Sequence, residues 1–302
     1  MIKGFTSDHV PDQSGRTIMI TGANAGLGFE TAKVLAGKGA RVLLACRSKE
    51  RAEEAINAIH EEHSSADLAF VELDQASLES VRKAAKKVEE EKRLDVLVNN
   101  AGIMGPPYEL TQDGFESQFG VNHLGTFALT GLLLPKLQET QKSRIVITSS
   151  LAHKGGKIHF GDINAEKRYR SWERYAQSKL ANIVHATELN RRLVASGSET
   201  IVTCCHPGIA STELARHLPT AAQIFMPLVS VFLNTAAQGA WATLASAVGK
   251  GAVGGGYYGP KGFGEWSGKV GEASRSRRSR DENLGSKLWD FSVELTGVDP
   301  KI

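Results

Sequence analysis

Residues 17–36 hold the pattern that most restricts how this chain can fold. Thr17-Ile-Met-Ile-Thr21 is a short apolar strand, Thr21-Gly-Ala-Asn-Ala-Gly-Leu-Gly28 is a glycine-rich turn, and Gly26 to Ala36 has helical periodicity. Glycines between a strand and a helix let the backbone turn tightly and come close to whatever sits on the helix N-terminus. The same alternation then repeats. Apolar strand-like runs occur at Arg41–Ala45, Leu68–Leu73, Leu94–Asn99, Arg144–Thr148 and Thr200–Cys205. Helix-like runs fall near Lys49–Glu61, Leu78–Glu90, Asp113–Val121, Leu124–Gln138 and Ser171–Val194. Strands that are apolar almost throughout, alternating with helices, predict a parallel sheet covered on both faces. Right-handed crossovers make that sheet doubly wound.

The expected fold is therefore α/β: a single Rossmann-like doubly wound parallel sheet of about seven strands, with helices on both faces. One domain spans 1–302. Its core covers 14–206, an apolar lid 207–250, and a C-terminal strand and tail 251–302. Hydrophobic residues make up 41% of the chain, enough for one sizeable core. A net charge of +3 is too mild to argue for nucleic acid. Lys and Arg are scattered except in Ser274-Arg-Ser-Arg-Arg-Ser-Arg280, which reads as a solvated surface loop. The three cysteines, Cys46, Cys204 and Cys205, form no disulfide framework and fit a reducing compartment. Cys204 and Cys205 are adjacent in a strand, so their side chains should point to opposite faces. His60-Glu-Glu-His63 is one residue short of the helical i, i+4 pair that holds zinc, and reads as a polar helix end. Met1 to Ser14 is polar, without an apolar signal core. The longest apolar stretch, Ala221 to Leu233, contains Pro227 and is too short to span a bilayer. The expected location is cytoplasmic, with no membrane span.

Three clusters carry chemistry. In Tyr175-Ala-Gln-Ser-Lys179 the phenol and the amine sit four residues apart, one turn on a single helix face. A free phenol, with a pKa of about 10, is a poor base at neutral pH. A nearby ammonium favours the phenolate, so the pair can pass a proton to or from an alcohol oxygen. The turn bearing Gly22, Asn24, Gly26, Leu27 and Gly28 is a candidate pyrophosphate cradle, since the helix behind it offers N–H groups and partial positive charge. The second strand ends in Ala45-Cys-Arg-Ser-Lys49, with no acid before Glu50. A carboxylate there would suit a ribose 2′-hydroxyl, whereas Arg47 could hold a 2′-phosphate through several N–H donors. NADP(H) is favoured over NAD(H).

Taken together, Thr21-Gly-x-x-x-Gly-x-Gly28, Asn99-Asn-Ala-Gly102, Asn122, Ser150 and Tyr175-x-x-x-Lys179 resemble the short-chain dehydrogenase/reductase family. Cys46-Arg47, Val121-Asn-His-Leu-Gly125, Ser149-Ser-Leu-Ala-His153, Ser178-Lys-Leu-Ala-Asn182 and His206-Pro-Gly208 are similar to its retinol dehydrogenase and WW-domain oxidoreductase branch. So is Lys287-Leu-Trp-Asp-Phe-Ser292, which resembles that branch's C-terminal helix. The resemblance implies Tyr175 as acid/base, with Lys179 favouring its ionised form and bonding the nicotinamide ribose. It implies that Ser150 donates a hydrogen bond to the reacting oxygen, and that Asn122 distorts its helix and links Lys179 to solvent. Asp74 would meet the adenine edge, and Asn100, Ala101 and Gly102 would pack beside the adenosine ribose. Pro207, Gly208 and Thr212 would hold the nicotinamide end. Ser149 reads as structural, and so can Asn99-Asn100. His153 and His206 lie near the site in sequence, but no motif gives either a proton-transfer role. The resemblance also implies a homodimer or homotetramer through the helices bearing Asn122 and Tyr175. Unlike several vertebrate retinol dehydrogenases, the chain is expected to carry no anchoring helix at its start, and no WW domain.

The expected function is NADP(H)-dependent hydride transfer between nicotinamide and a hydrophobic aldehyde or ketone, or the matching alcohol. The segment Pro207 to Leu233, with Ile209, Leu214, Leu218, Ile224, Phe225, Met226, Leu228 and Phe232, is either an apolar substrate wall or a surface packed on the body or on a neighbouring subunit. A dinucleotide sensor without turnover is the alternative. Against it, a sensor has no need of Ser150, Tyr175 and Lys179.

Overall fold

The computed structural model describes residues 1–209 and 234–302. In chain order the strands and helices are β1 (Lys3–Phe5), β2 (Thr17–Thr21), α1 (Gly26–Gly37), β3 (Arg41–Cys46), α2 (Lys49–Glu62), β4 (Leu68–Glu72), α3 (Leu78–Glu89) and β5 (Val96–Asn99). Then come α4 (Ser117–Phe119), a π-helical turn (Gly120–Leu124), α5 (Gly125–Gln138), β6 (Arg144–Thr148), α6 (Ser171–Ala195) and β7 (Ile201–Cys205). The chain closes with α7 (Ala236–Val248), β8 (Tyr257–Pro260), β9 (Val270–Glu272) and α8 (Glu282–Thr296).

The described strands form one sheet in the order β1-β9-β8-β7-β6-β5-β2-β3-β4. From β4 to β8 every neighbouring pair is parallel, while β9 and β1 add two antiparallel strands at one edge. The parallel part is thus the expected seven strands. The antiparallel edge went unanticipated because β1 and β9 are only three residues long, too short to show a period.

Side-chain alternation divides the apolar strands between two cores. Met19, Leu43, Leu97, Ile145 and Cys204 pack with α3, α5, α6 and α8 on one face. Ile18, Leu44, Val98, Val146 and Cys205 pack with α1, α2 and α7 on the other. The two cysteines do point to opposite faces. Chain order reverses between β2 and β5, so the crevice for a ligand opens beyond the carboxyl ends of those two strands.

Several local expectations are corrected. The helix expected from Asp113 starts at Ser117, because Thr111 to Phe115 closes a turn through Gly114 (φ +82°). The buried Glu116 carboxylate then caps the helix, accepting from the Gln118 and Phe119 N–H groups at 2.9 Å. That helix and the next are one run, joined through the π-turn. Residues 236–248, counted within the lid, form α7, which packs on α1 and the sheet. The serine–arginine run is not a free solvated loop. Arg275 is half-buried over the Tyr257 ring and bonds the Gly255 carbonyl, and Arg278 Nη1 donates to the Gly156 carbonyl at 2.9 Å. Thr212, Leu214, Leu218, Ile224, Phe225, Met226, Leu228 and Phe232 lie outside the described residues.

Candidate active site

The glycine turn is built around close approaches. Gly22 (φ +67°) and Gly26 (φ +56°) adopt the left-handed backbone that glycine takes without strain. A Cβ on Gly28 would collide with the Gly22 carbonyl and come within 2.7 Å of Asn100 Nδ2. A Cβ on Gly26 would meet nothing within 4 Å, so open space lies in front of the helix start. The N-cap of α1 is Ala25, whose side chain caps nothing, so the first-turn N–H groups are left to a ligand or water. Asn24 sits partly exposed in the turn, and Leu27 lies so close to α7 that only Gly239 fits opposite it, with 2.5 Å between Leu27 Cδ2 and a Cβ placed there.

Asn100 and Ala101 brace this turn. Thr21 Oγ1 accepts from the Asn100 N–H at 3.0 Å and the Ala101 N–H at 2.9 Å, and Asn100 Nδ2 donates to the Thr21 carbonyl at 2.9 Å. The turns after β2 and β5 are thereby clamped to one another. Asn99 belongs to the scaffold, its amide donating to Thr130 Oγ1 at 3.0 Å.

Arg47 and Asp74 line one cleft of about 540 Å³, with Lys83 and Lys87 from α3 on its wall. Arg47 is exposed at the end of β3. Glu50, the first acid after the strand, lies inside α2. Its carboxylate sits low in pKa on backbone N–H and on the Ser48 hydroxyl at 2.8 Å. Asp74 Oδ1 accepts from the Ala76 N–H at 2.9 Å and shapes the turn into α3.

Tyr175 and Lys179 are both buried on one face of α6, 6% and 5% exposed. Lys179 Nζ is 5.7 Å from the Tyr175 ring centroid and 3.5 Å from the Thr148 carbonyl at the end of β6. The backbone of α6 is pinned to that strand end. Ser149 Oγ donates to the Lys179 carbonyl at 2.7 Å, and Asn182 Nδ2 donates to the Thr148 carbonyl at 3.1 Å. Ser149 is accordingly structural. Ser150 follows, half-buried, with Oγ accepting from the Ala152 N–H at 3.2 Å. Accepting there leaves its O–H to donate outward.

Asn122 sits in the π-turn, where one extra residue turns its amide inward. Its Nδ2 donates to Ser178 Oγ and to the Ile103 carbonyl, each at 2.9 Å, and its Oδ1 accepts from the Ile103 N–H at 2.7 Å. A Cβ on Gly102 would stand 3.1 Å from Asn122 Oδ1 and 3.2 Å from Lys179 Nζ, so glycine lets the loop after β5 reach both.

At the far end Pro207 is buried and Gly208 is in the left-handed region (φ +79°), where a Cβ would collide with the Trp266 carbonyl. Burial holds the His206 imidazole neutral, its pKa pushed down to about 3, and its Nδ1 accepts from the Gly208 N–H at 3.2 Å. Three groups at the site escaped the sequence reading. Gln75 Nε2 captures the Val121 carbonyl of the π-turn at 3.2 Å. Asn234 Nδ2 holds the Pro207 carbonyl at 2.8 Å. Trp172, 62% exposed, lays its ring 5.5 Å from that of Tyr175. Only Trp172 carried a sequence signal, its i, i+3 spacing to Tyr175.

Comparison with known proteins gives the chain a family. The family model for short chain dehydrogenases matches residues 16–223. Mouse retinol dehydrogenase 14 is 43% identical over 94% of this chain and 86% of its own length. Human retinol dehydrogenase 11 is 42% identical over 94% and 86%. An uncharacterized protein from Mycobacterium paratuberculosis superposes with a TM-score of 0.83 at 40% identity, covering 99% of this chain and all of that one. A short chain dehydrogenase from Shigella flexneri, solved with NADP, superposes at 0.63 with 25% identity over 82% of this chain and 97% of that one. With a nicotinamide-dinucleotide fold, the motif residues in place and relatives of this likeness along nearly its whole length, the chain belongs to the short chain dehydrogenase family and is an oxidoreductase acting on CH–OH groups.

Proposed function

We propose that this protein is an NADP(H)-dependent reductase of hydrophobic aldehydes and ketones, running in reverse on the matching alcohols. The observation that carries this is the buried Tyr175–Lys179 pair, fastened by Ser149 and Asn182 beside the Ser150 hydroxyl. The open cradle at Gly26, the uncapped start of α1 and the close approach at Gly28 fit a dinucleotide pyrophosphate. Gly22, Asn24, Gly26, Leu27 and Gly28 would hold it. Asn100, Ala101 and Gly102 would flank the adenosine ribose, Asp74 the adenine and Arg47 the 2′-phosphate. Pro207, Gly208 and Thr212 would border the nicotinamide. When bound, the dinucleotide supplies or accepts the hydride.

The chain's own residues handle the proton. Tyr175 gives its phenolic proton to the carbonyl oxygen as negative charge grows there, and takes it back in the oxidising direction. Lys179 stabilises the phenolate that remains. Ser150 donates a second hydrogen bond to the same oxygen. Asn122 holds the loop after β5 against α6 and keeps the lysine's surroundings polar. The exposed Trp172 ring beside Tyr175, and relatives named retinol dehydrogenases, support an apolar substrate with an extended unsaturated or alkyl body.

The test is NADPH oxidation, followed by absorbance, against hexanal, decanal, cinnamaldehyde and all-trans-retinal. Turnover is expected with the larger aldehydes. Tyr175→Phe should lose about 10²- to 10⁴-fold in kcat while still binding NADPH, the range for a lost general acid. A Tyr175→Phe enzyme that turns over normally means that the proton donor is misassigned. NADPH binding without turnover of any substrate would favour the sensor.

A further inference from the structure

We propose that His153 is a positioning residue that fixes Ser150, and that the segment Ser274–Arg278 works through it as a strap. This rests on Ser150 being the hydroxyl that meets the substrate oxygen.

His153 is fully buried in the 3-10 turn Leu151–Gly155, immediately after Ser150. Its Nδ1 lies 2.6 Å from the Ser150 carbonyl oxygen, and its Nε2 receives the Ser276 N–H at 3.3 Å. These two contacts decide the tautomer. A backbone N–H can only donate, so Nε2 is the acceptor and Nδ1 carries the proton. Nδ1–H therefore donates to the Ser150 carbonyl, which also accepts the His153 N–H at 3.1 Å. Two donors on one carbonyl hold the Ser150 peptide in a single orientation, and with it the direction of the hydroxyl. Burial keeps the ring neutral, its pKa below the ordinary histidine value. The ring is fully buried and packs edge-on against Tyr257 at 5.5 Å between centroids.

The strap grips the same turn on both sides of His153. Lys154 Nζ donates to Ser274 Oγ at 2.9 Å, and Arg278 Nη1 donates to the Gly156 carbonyl at 2.9 Å. Ser276 is itself held, its carbonyl accepting from Ser279 Oγ at 2.8 Å. The far end of the turn lies on α6, where a Cβ on Gly156 would come 2.9 Å from Leu180 Cβ. The serine–arginine run therefore spans the 150–156 turn from outside while α6, carrying Tyr175, supports it from inside. Its sequence neighbours supply charge, but the contact that reaches Ser150 is a backbone N–H onto an imidazole.

The test is a double-mutant cycle on the full-length protein, with NADPH and the fastest-reduced aldehyde of the panel above. Ser150→Ala should lower kcat with little change in NADPH affinity. His153→Phe fills the ring's space but makes neither hydrogen bond. It should cost about 10- to 100-fold in kcat, the scale of a misplaced catalytic group. His153→Asn, whose amide can donate where Nδ1 does, should recover most of that loss. His153→Gln, which places its amide toward Ser276 instead, should not. In the Ser150→Ala background, His153→Phe should cost nothing further. If it costs the same factor there as in the wild type, His153 acts independently of Ser150 and the proposal fails while Ser150 keeps its role. If Ser150→Ala alone turns over normally, the role of Ser150 fails and takes the proposal with it. Should His153→Phe not fold, as judged by circular dichroism, the Asn and Gln variants carry the same test, and equal activity in both overturns it.

Discussion

On the proposed reading, Arg47 is the side chain that bears most directly on the choice of cofactor. It stands exposed at the end of β3 on the rim of the cleft that also holds Asp74, with Glu50 turned into its own helix. A guanidinium gains strongly from a 2′-phosphate and little from a 2′-hydroxyl. Arg47→Ala should therefore weaken NADPH by about 10-fold or more, the worth of a charge-assisted hydrogen bond, and leave NADH nearly unchanged. Paired fluorescence titrations check this; equal losses for both cofactors would remove Arg47 from the choice. The placement of such residues was legible in the sequence, because the proposed chemistry asks for both a residue type and a spacing. Tyr175 and Lys179 must be one helical turn apart, and Gly28 must lack a Cβ because the chain passes so near it. The supporting contacts were not legible. His153 reaches Ser276 across 123 positions and Asn234 reaches Pro207 across 27, and no local pattern marks such pairs.

Elements were readable in proportion to their length and burial. The parallel strands announced themselves as apolar runs, and α6 by its period. The π-turn has no signature of its own, since a single inserted residue looks like ordinary helix in sequence, and only the family resemblance put a distortion at Asn122. Yet that turn is what brings Asn122 onto α6 and the loop after β5. Such a turn breaks the regular i to i−4 ladder, and here the carbonyl of Val121 bonds to Gln75 Nε2, which also donates to Thr126 Oγ1 at 3.1 Å. Gln75→Leu would strip both acceptors of this donor inside the core. The expected cost is about 1–3 kcal/mol of stability, the penalty for leaving buried polar groups unsatisfied. Urea unfolding measures it. Because Asn122 depends on the same turn, kcat should fall alongside. A variant as stable and active as the wild type would mean that the turn holds itself without Gln75.

At the scale of the molecule, α8 and the tail behind it lie across the outer side of α5 and α6. Trp289 packs on Phe127 at 5.3 Å and takes the Arg192 guanidinium over its face at 4.4 Å. A Cβ on Gly131 would meet Pro300 Cγ at 2.8 Å. A copy approaching the helices of Asn122 and Tyr175 would meet α8 first on this side. The covering also seals His123 and His185 inside, ring centroids 6.0 Å apart, with His123 Nε2 on Ser292 Oγ of α8 at 2.9 Å. Burial lowers the pKa of both, that of His123 to about 3, and that of His206, stacked on Tyr257, falls to about 3 as well. In the unfolded chain these rings titrate near 6.5. Below that pH the unfolded state binds protons that the native state refuses, so stability is complete above about 6.5 and declines as pH falls toward 3. Each such histidine adds about 1.4 kcal/mol per pH unit to the slope. Replacing His123 with Phe removes one titrating group, leaving a ring of similar size among Phe119, Phe127 and His185. Urea midpoints measured between pH 7 and pH 5 should then fall less steeply for His123→Phe than for the wild type, by about one proton's worth. Parallel curves would show that His123 binds its proton as readily in the native protein as in the unfolded chain, and that α8 does not keep it from doing so.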